Sequence, residues 1–245
     1  MWIVSDIDGT LLDASERCPL PPELLTRAGQ QHRIVLASSR TLPQIRAVAY
    51  RLGWDATRCV AEDGQVVLGP DGGSQRLGSP AATLQARLAA AGVHDHFRSV
   101  PGREASLLIR STQLTEALRD GVERAGLAIT VGGRWATVSD GQWNKGSAVV
   151  RLLSALGVVE WAAIGNAAND APLLQAATRR FVIRNVDGGY DSSLADIPDV
   201  VLLTAPGPLG WVEMLEQLPL TPTPEPEGND AKTRLDHHGP DDPGA

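Results

Sequence analysis

Short apolar runs alternate with longer amphipathic stretches along most of the chain. The runs WIVS (2–5), RIVLAS (33–38), WAAIG (161–165), RFVI (180–183) and DVVLL (199–203) carry few polar interruptions. Unbroken apolar runs of this length predict strands covered on both faces. Between them lie PPELLTRAGQQ (21–31), LPQIRAVAYRLG (42–53), KGSAVVRLLSALG (145–157) and NDAPLLQAAT (169–178), whose apolar residues recur at helical spacing. Pro21 and Pro22 suit a first helical turn, and Gly53 and Gly157 suit helix ends. Strands that alternate with helices predict an α/β fold with a doubly wound, mostly parallel sheet.

The middle of the chain has a different rhythm. PAATLQARLAAAG (80–92) and TQLTEALRDGVERAG (112–126) are amphipathic helices by pattern. REASLLIRS (103–111), LAITVGG (127–133) and RWATVSD (134–140) alternate in the manner of paired antiparallel strands. The expected organisation is therefore a core from 1–77 and 143–218, with a smaller α+β domain inserted at 78–142. The stretch 219–245 holds six carboxylates, two cations, many prolines and no aromatic residue, and is expected to be a disordered tail.

Composition narrows the function classes. A 245-residue chain has room for one large domain, or for a core with an insert. The formal net charge of −7 gives no electrostatic reason to expect nucleic acid. There is no apolar run long enough for a membrane span and no visible secretory leader. Two cysteines far apart in sequence, Cys18 and Cys59, read as reduced thiols. The expectation is a cytoplasmic protein with a small-molecule partner.

Ligands of doubly wound sheets bind beyond the carboxyl ends of the strands, and four polar loops begin there. In VSDIDGTLLD (4–13), Asp6 could attack an electrophile and hold a cation, while Asp8 could give and take a proton. Two acids after a strand also occur as helix caps. In LASSRT (36–41), the Ser38 and Ser39 hydroxyls and loop amides could hold phosphate oxygens. Ser38 could equally be the cap of helix 42–53. In IGNAANDAPLL (164–174), Asn166, Asn169 and Asp170 are oxygen donors of the kind a hard cation takes, and Asn-Asp before a helix is also an ordinary cap.

The remaining loop contains Lys145. Of 22 basic residues only Lys145 and Lys232 are lysines, and Lys232 lies in the acidic tail stretch. Lysine presents a compact point charge, arginine a broad planar fork. A place that must touch both a carboxylate and a phosphoryl oxygen suits the point charge.

Together and in this order, the four loops resemble the motifs of the haloacid dehalogenase superfamily of phosphatases. Those motifs are Asp-x-Asp-Gly-Thr, a Ser or Thr, a Lys, and Gly-Asp-x-x-Asn-Asp. The position of the insert resembles the subgroup with a type C2 cap. SSRT (38–41), GREAS (102–106) and GGRW (132–135) further resemble the mannosyl-3-phosphoglycerate phosphatases. The resemblance implies Asp6 as nucleophile through an aspartyl-phosphate, Asp8 as acid and base, and Ser38, Ser39 and Lys145 on the phosphoryl group. It implies Mg²⁺ held by Asp6, Asp8, Asn166 and Asp170. It also implies substrate contacts in the cap from Arg103, Glu104, Ser106 and Arg134. The family has Asp where this chain has Asn166, and the subfamily has an acid and a Pro where this chain has Leu107 and Leu108. Other readings are a hexose-phosphate phosphatase, a phosphohexomutase, or a degenerate relative that only binds a phosphorylated ligand. A phospho-accepting receiver domain would be about half this length.

Overall fold

The computed structural model describes residues 1–219 apart from 70, 95, 98 and 99, so nearly all of the expected tail lies outside the described residues. Five strands of the central sheet are the apolar runs of the sequence: β1 (Trp2–Ser5), β2 (Arg33–Ala37), β9 (Trp161–Gly165), β10 (Arg179–Arg184) and β11 (Val200–Pro206). β1 pairs in parallel with β2 on one side and with β9 on the other, and β10 and β11 continue in parallel from β9. Three short strands that the pattern did not predict extend the other edge. They are β3 (Cys59–Ala61), β4 (Val66–Leu68) and β5 (Ser74–Arg76), and the order is β11-β10-β9-β1-β2-β3-β4-β5. The last two pair antiparallel, so the sheet is mostly parallel.

Alternate residues of β1 feed opposite faces of this sheet. Ile3 packs with Leu25 and Ala28 of α1 (Pro22–Gln31), Ile45 and Val48 of α2 (Leu42–Arg51), and Trp211 and Met214 of α8 (Leu209–Gln217). Val4 packs with Val149, Leu152 and Leu153 of α5 (Lys145–Ser154), Leu173 and Leu174 of α6 (Ala171–Ala176), and Leu194 of α7 (Ser192–Ala195). Helices thus cover both faces, as unbroken apolar strands require. Trp211 is fully buried, stacks on Trp54 at 5.4 Å, and donates its indole N–H to Ser5 Oγ at 3.0 Å. This pins the end of β1 one residue before Asp6.

Between β5 and α5 the chain builds a second, three-stranded antiparallel sheet of order β6-β8-β7, from β6 (Leu107–Arg110), β7 (Ala128–Gly132) and β8 (Trp135–Ser139). Leu84 and Leu88 of α3 (Ala81–Ala90) and Val122 of α4 (Glu116–Arg124) pack with Leu107 and Val138 from one face of it. The other face turns toward the carboxyl ends of the central strands. Both cysteines are free. Burial pushes the Cys59 thiol up to about 12, so it stays protonated and inert. Among the described residues no helix is long and apolar enough to cross a membrane.

Candidate active site

The four loops meet beyond the carboxyl ends of β1, β2 and β9 and at the start of α5. Asp6 is the residue after β1, and its backbone N–H donates to Ile164 O of β9. Asn144 caps α5, accepting from Ser147 N, and places Lys145 as the first helical residue. A cation at a helix N-terminus is disfavoured by the helix dipole, and here three carboxylates offset that cost. Lys145 Nζ lies 2.7 Å from Asp6 Oδ1, 2.7 Å from Asp170 Oδ1 and 3.9 Å from Asp63 Oδ1. Its side chain is fully buried.

The charges in this cluster constrain one another. Burial opposes the Lys145 charge, but Asp170, Asp6 and Asp63 outweigh it and hold its pKa above the ordinary lysine value. Burial, followed by the charge of Asp170, pushes the Asp6 carboxyl up to about 8 against the pull of Lys145. The second oxygen of Asp170 accepts the backbone N–H groups of Asn166 and Ala167, at 2.9 and 3.2 Å. Asp170 therefore folds its own loop around itself while holding Lys145.

Asp8 points into the open. Arg40 grips it in bidentate fashion, Nε to Oδ2 at 2.8 Å and the terminal nitrogen to Oδ1 at 2.6 Å. Arg40 lies in the second loop beside Ser38 and Ser39. Ser38 is fully buried, and its hydroxyl accepts the Arg40 N–H at 3.2 Å. It does not cap α2. Thr41 holds that position, its N–H donating to Gln44 Oε1. Asn166 lies against the first loop. Its Oδ1 accepts from Thr10 Oγ1 at 3.2 Å, and its Nδ2 donates to Asn185 Oδ1 at 3.0 Å. Gly9, at φ +83°, makes that approach possible, since a β-carbon there would meet the Asn166 amide at 2.4 Å.

A cleft of about 560 Å³ opens between these loops and the second sheet. Asp6, Asp8, Ser39, Arg40, Asn166 and Asn169 line its floor, and Arg103, Leu108, Arg134 and Trp135 line its roof. Of the cap residues expected at the substrate, Arg103 and Arg134 reach the cleft. Glu104 and Ser106 are not on its wall. Glu104 is exposed, and the Ser106 hydroxyl is turned inward to donate to Glu62 Oε2 at 2.6 Å. Arg103 is itself largely buried, with its terminal nitrogens on Ser106 Oγ and Ser39 O and its Nε without a partner. Arg40, Glu62 and Asp63 are functional neighbours that the sequence pattern does not single out. Arg40 lies within the SSRT stretch. Nothing in the local pattern marks Glu62 and Asp63, apart from two acids before a glycine.

A buried carboxylate thus pairs with a buried lysine at the switch point of the sheet, beneath a second sheet. Residues 3–78 match the family of haloacid dehalogenase-like hydrolases. The chain is similar to the phosphoglycolate phosphatase of Haloarcula marismortui, at 28% identity over 206 residues covering 76% of this chain and 85% of that protein. It is similar also to the glucosyl-3-phosphoglycerate/mannosyl-3-phosphoglycerate phosphatase of Methanococcoides burtonii. There the identity is 32% over 113 residues, covering 44% of this chain and 40% of that protein. Among solved structures, a protein of Thermoplasma acidophilum shares the fold with a TM-score of 0.73 at 19% identity, over 88% of this chain and 96% of that one.

Proposed function

We propose that the chain is a Mg²⁺-dependent phosphomonoester hydrolase whose substrate is a small phosphorylated sugar, glycoside or acid bearing a carboxylate. The observation that carries this reading is Lys145 Nζ, buried 2.7 Å from both Asp170 and Asp6, of which Asp6 lines the floor of a cleft roofed by Arg103 and Arg134. In this reading Asp6 Oδ attacks phosphorus, the bond to the leaving oxygen breaks, and an aspartyl-phosphate forms. Asp8 protonates the leaving oxygen, then takes a proton from the water that hydrolyses the intermediate. Arg40 bonds both Asp8 oxygens and holds the carboxylate in place at the cleft. Ser38, Ser39 and Lys145 hold the phosphoryl oxygens.

The donor set suits a hard cation. Four carboxylates, Asp6, Asp8, Asp63 and Asp170, gather here, and one buried lysine and Arg40 do not fully neutralise them. Burial first, and then the charge of Asp170, raises the Asp6 carboxyl to about 8. Among the described residues no three acidic, histidine or cysteine side chains form a ready cage. The ion would instead rest on mixed oxygens: the Asp6 carboxylate, the Asp8 carbonyl and the Asn166 amide, with Asp170 adding charge from behind. A bound Mg²⁺ supplies charge neutralisation at the phosphoryl oxygens and at Asp6.

Asn166 offers an oxygen but no charge. Replacing it with Asp should lower the Mg²⁺ concentration for half-maximal effect by about tenfold or more, from a gain of about 1–3 kcal/mol. The Asn185 carboxamide can rotate to donate to the new carboxylate, so the substitution fits locally. Both the Mg²⁺ dependence of turnover and the Mg²⁺-induced rise in Tm read this. Identical curves for the two proteins would remove residue 166 from the metal site. If only Asn166→Asp turns over at high Mg²⁺, the natural chain binds its ligand without hydrolysing it.

Two relatives carry names with carboxylate-bearing substrates, phosphoglycolate and glycosyl-3-phosphoglycerates. Two arginines on the roof suit a carboxylate, which a guanidinium grips with paired hydrogen bonds. A panel of phosphoglycolate, glycosyl-3-phosphoglycerates, hexose 1- and 6-phosphates and sucrose phosphate, assayed with and without Mg²⁺, tests the reading. The acid-bearing substrates should give the highest kcat/KM. Arg134→Gln should raise KM for those substrates about tenfold or more and leave the hexose phosphates nearly unchanged. Preference for hexose phosphates would move the assignment to the sugar-phosphate class, and interconversion of the two hexose phosphates to a mutase.

A further inference from the structure

One tight turn touches three of the four loops and the cap at once. Cys59–Ala61 of β3 run into Glu62, Asp63 and Gly64, and both acids are nearly fully buried. Glu62 and Asp63 hold φ of +54° and +55°, a left-handed conformation that costs a non-glycine residue on the order of 1 kcal/mol or more. Two successive residues of this kind persist only where their surroundings demand it.

The demands come from opposite sides. Glu62 faces the cap. Its carboxylate accepts the backbone N–H of Glu104 at 2.7 Å, that of Ala105 at 3.1 Å and the Ser106 hydroxyl at 2.6 Å, with Arg103 at 3.9 Å. Asp63 faces the catalytic cluster. Its Oδ1 lies 3.9 Å from Lys145 Nζ and accepts the Asn169 side-chain N–H at 3.1 Å. Asn169 in turn lies directly against Gly132 at the end of cap strand β7. The backbone N–H groups of Glu62 and Asp63 donate to Arg40 O and Ser38 O in the second loop. Gly64, at φ +103°, presses on the Asn144 backbone that caps the helix of Lys145. A β-carbon there would fall 2.3 Å from the Asn144 carbonyl.

We propose that the Glu62–Asp63–Gly64 turn couples cap position to Lys145: Glu62 reads the cap through residues 104–106, and Asp63 transmits its placement to the lysine. Glu62 and Asp63 are then positioning residues. A cap lifted from Glu62 releases the turn, Asp63 withdraws from Lys145, and the lysine is held less well for the phosphoryl group. The functional consequence rests on the phosphatase reading, but the coupling itself does not.

The chain's two lysines make the coupling directly readable. With ¹⁵N-lysine labelling, only Lys145 and Lys232 give side-chain ammonium signals, and the second serves as an internal reference. Ser106→Ala removes a neutral hydroxyl in the cap that touches Glu62 and Arg103. It should shift the Lys145 signal, and in an Asp63→Asn background the same substitution should no longer do so. An unmoved Lys145 signal in Ser106→Ala, or an equal shift in both backgrounds, overturns the proposal. Glu62→Gln takes the place of Ser106→Ala should the latter lower Tm sharply. With p-nitrophenyl phosphate, Ser106→Ala should lower kcat about tenfold, and the Ser106→Ala/Asp63→Asn double variant should lose less than the product of the single losses. Losses that multiply would mean that the two residues act independently. A wild type without turnover overturns the phosphatase reading and leaves the spectroscopic test standing.

Discussion

Asp6→Asn is expected to cut turnover about a thousandfold or more while leaving the metal-free protein at least as stable as the wild type. The two outcomes have one origin. Asp6 is buried beside Asp170, with Asp8 close by, and Lys145 is the cation that bonds it directly. A carboxylate in that position is a good attacking group because the protein does not fully solvate or neutralise it. Burial, followed by the charge of Asp170, makes its ionisation costly. The Asp6 pKa rises from an ordinary 3.8 to about 8, so the fold favours the neutral carboxyl. Folded stability from this group is therefore fully present below about pH 4 and declines as pH rises through about 8. The amide has the shape of the carboxyl but never ionises. The metal-free Tm of the wild type should fall across that window, and that of Asp6→Asn should fall less. At pH 8 the variant should match or exceed the wild type, by up to a few degrees. Mg²⁺ should raise the wild-type Tm and raise that of the variant much less. Retained turnover would remove Asp6 from the nucleophile's role. A variant markedly less stable at pH 8 would mean that the Lys145 pair outweighs burial and the charge of Asp170.

Three of these loops are visible because each follows an apolar strand with a short burst of polar residues, and the fourth because lysine is so rare in the chain. That contrast survives without any structure. Asp6, Ser38 and Asn166 stand at such boundaries, and the five long strands emerge from the same signal. The three edge strands do not. Each is only three residues long, too short for a period to register, and β5 is exposed throughout. Their neglect hid the turn that follows β3, and with it Glu62 and Asp63. Pairings across the fold were also invisible. Nothing near residue 8 indicates that Arg40, 32 positions away, will close on both oxygens of Asp8. The cap pattern gave the right kinds of residue but not their directions. Ser106 and Leu108 are two residues apart and share a side of the chain, yet the Ser106 hydroxyl is taken by Glu62 Oε2 while Leu108 lines the cleft. Ser38 shows the reverse. Its hydroxyl suited a helix cap, and Thr41 took that place because α2 starts four residues later.

Lys145→Arg is expected to lose about a hundredfold or more in turnover, close to the loss from Lys145→Ala, although it conserves charge. The reason is the shape of the place the lysine fills. Its side chain is completely enclosed, and a single ammonium donates at 2.7 Å to carboxylates from two different loops. The three N–H groups of an ammonium point in separate directions from one atom, so a third remains to meet Asp63 or an incoming phosphoryl oxygen. A guanidinium spreads its donors in one plane and adds heavy atoms to a site without free volume. It can satisfy Asp170 or Asp6 with paired bonds, but not both from the same point. Overpacking should also appear as a loss of about 1–3 kcal/mol in urea unfolding, whereas Lys145→Ala should lose stability by leaving Asp6 and Asp170 to repel each other unpaired. The ¹⁵N-lysine spectrum assigns the effect, since both variants lose the Lys145 signal and keep that of Lys232. An Arg variant within about threefold of wild-type kcat would mean that charge alone matters at this position. The rarity of lysine in the chain would then say nothing about its role.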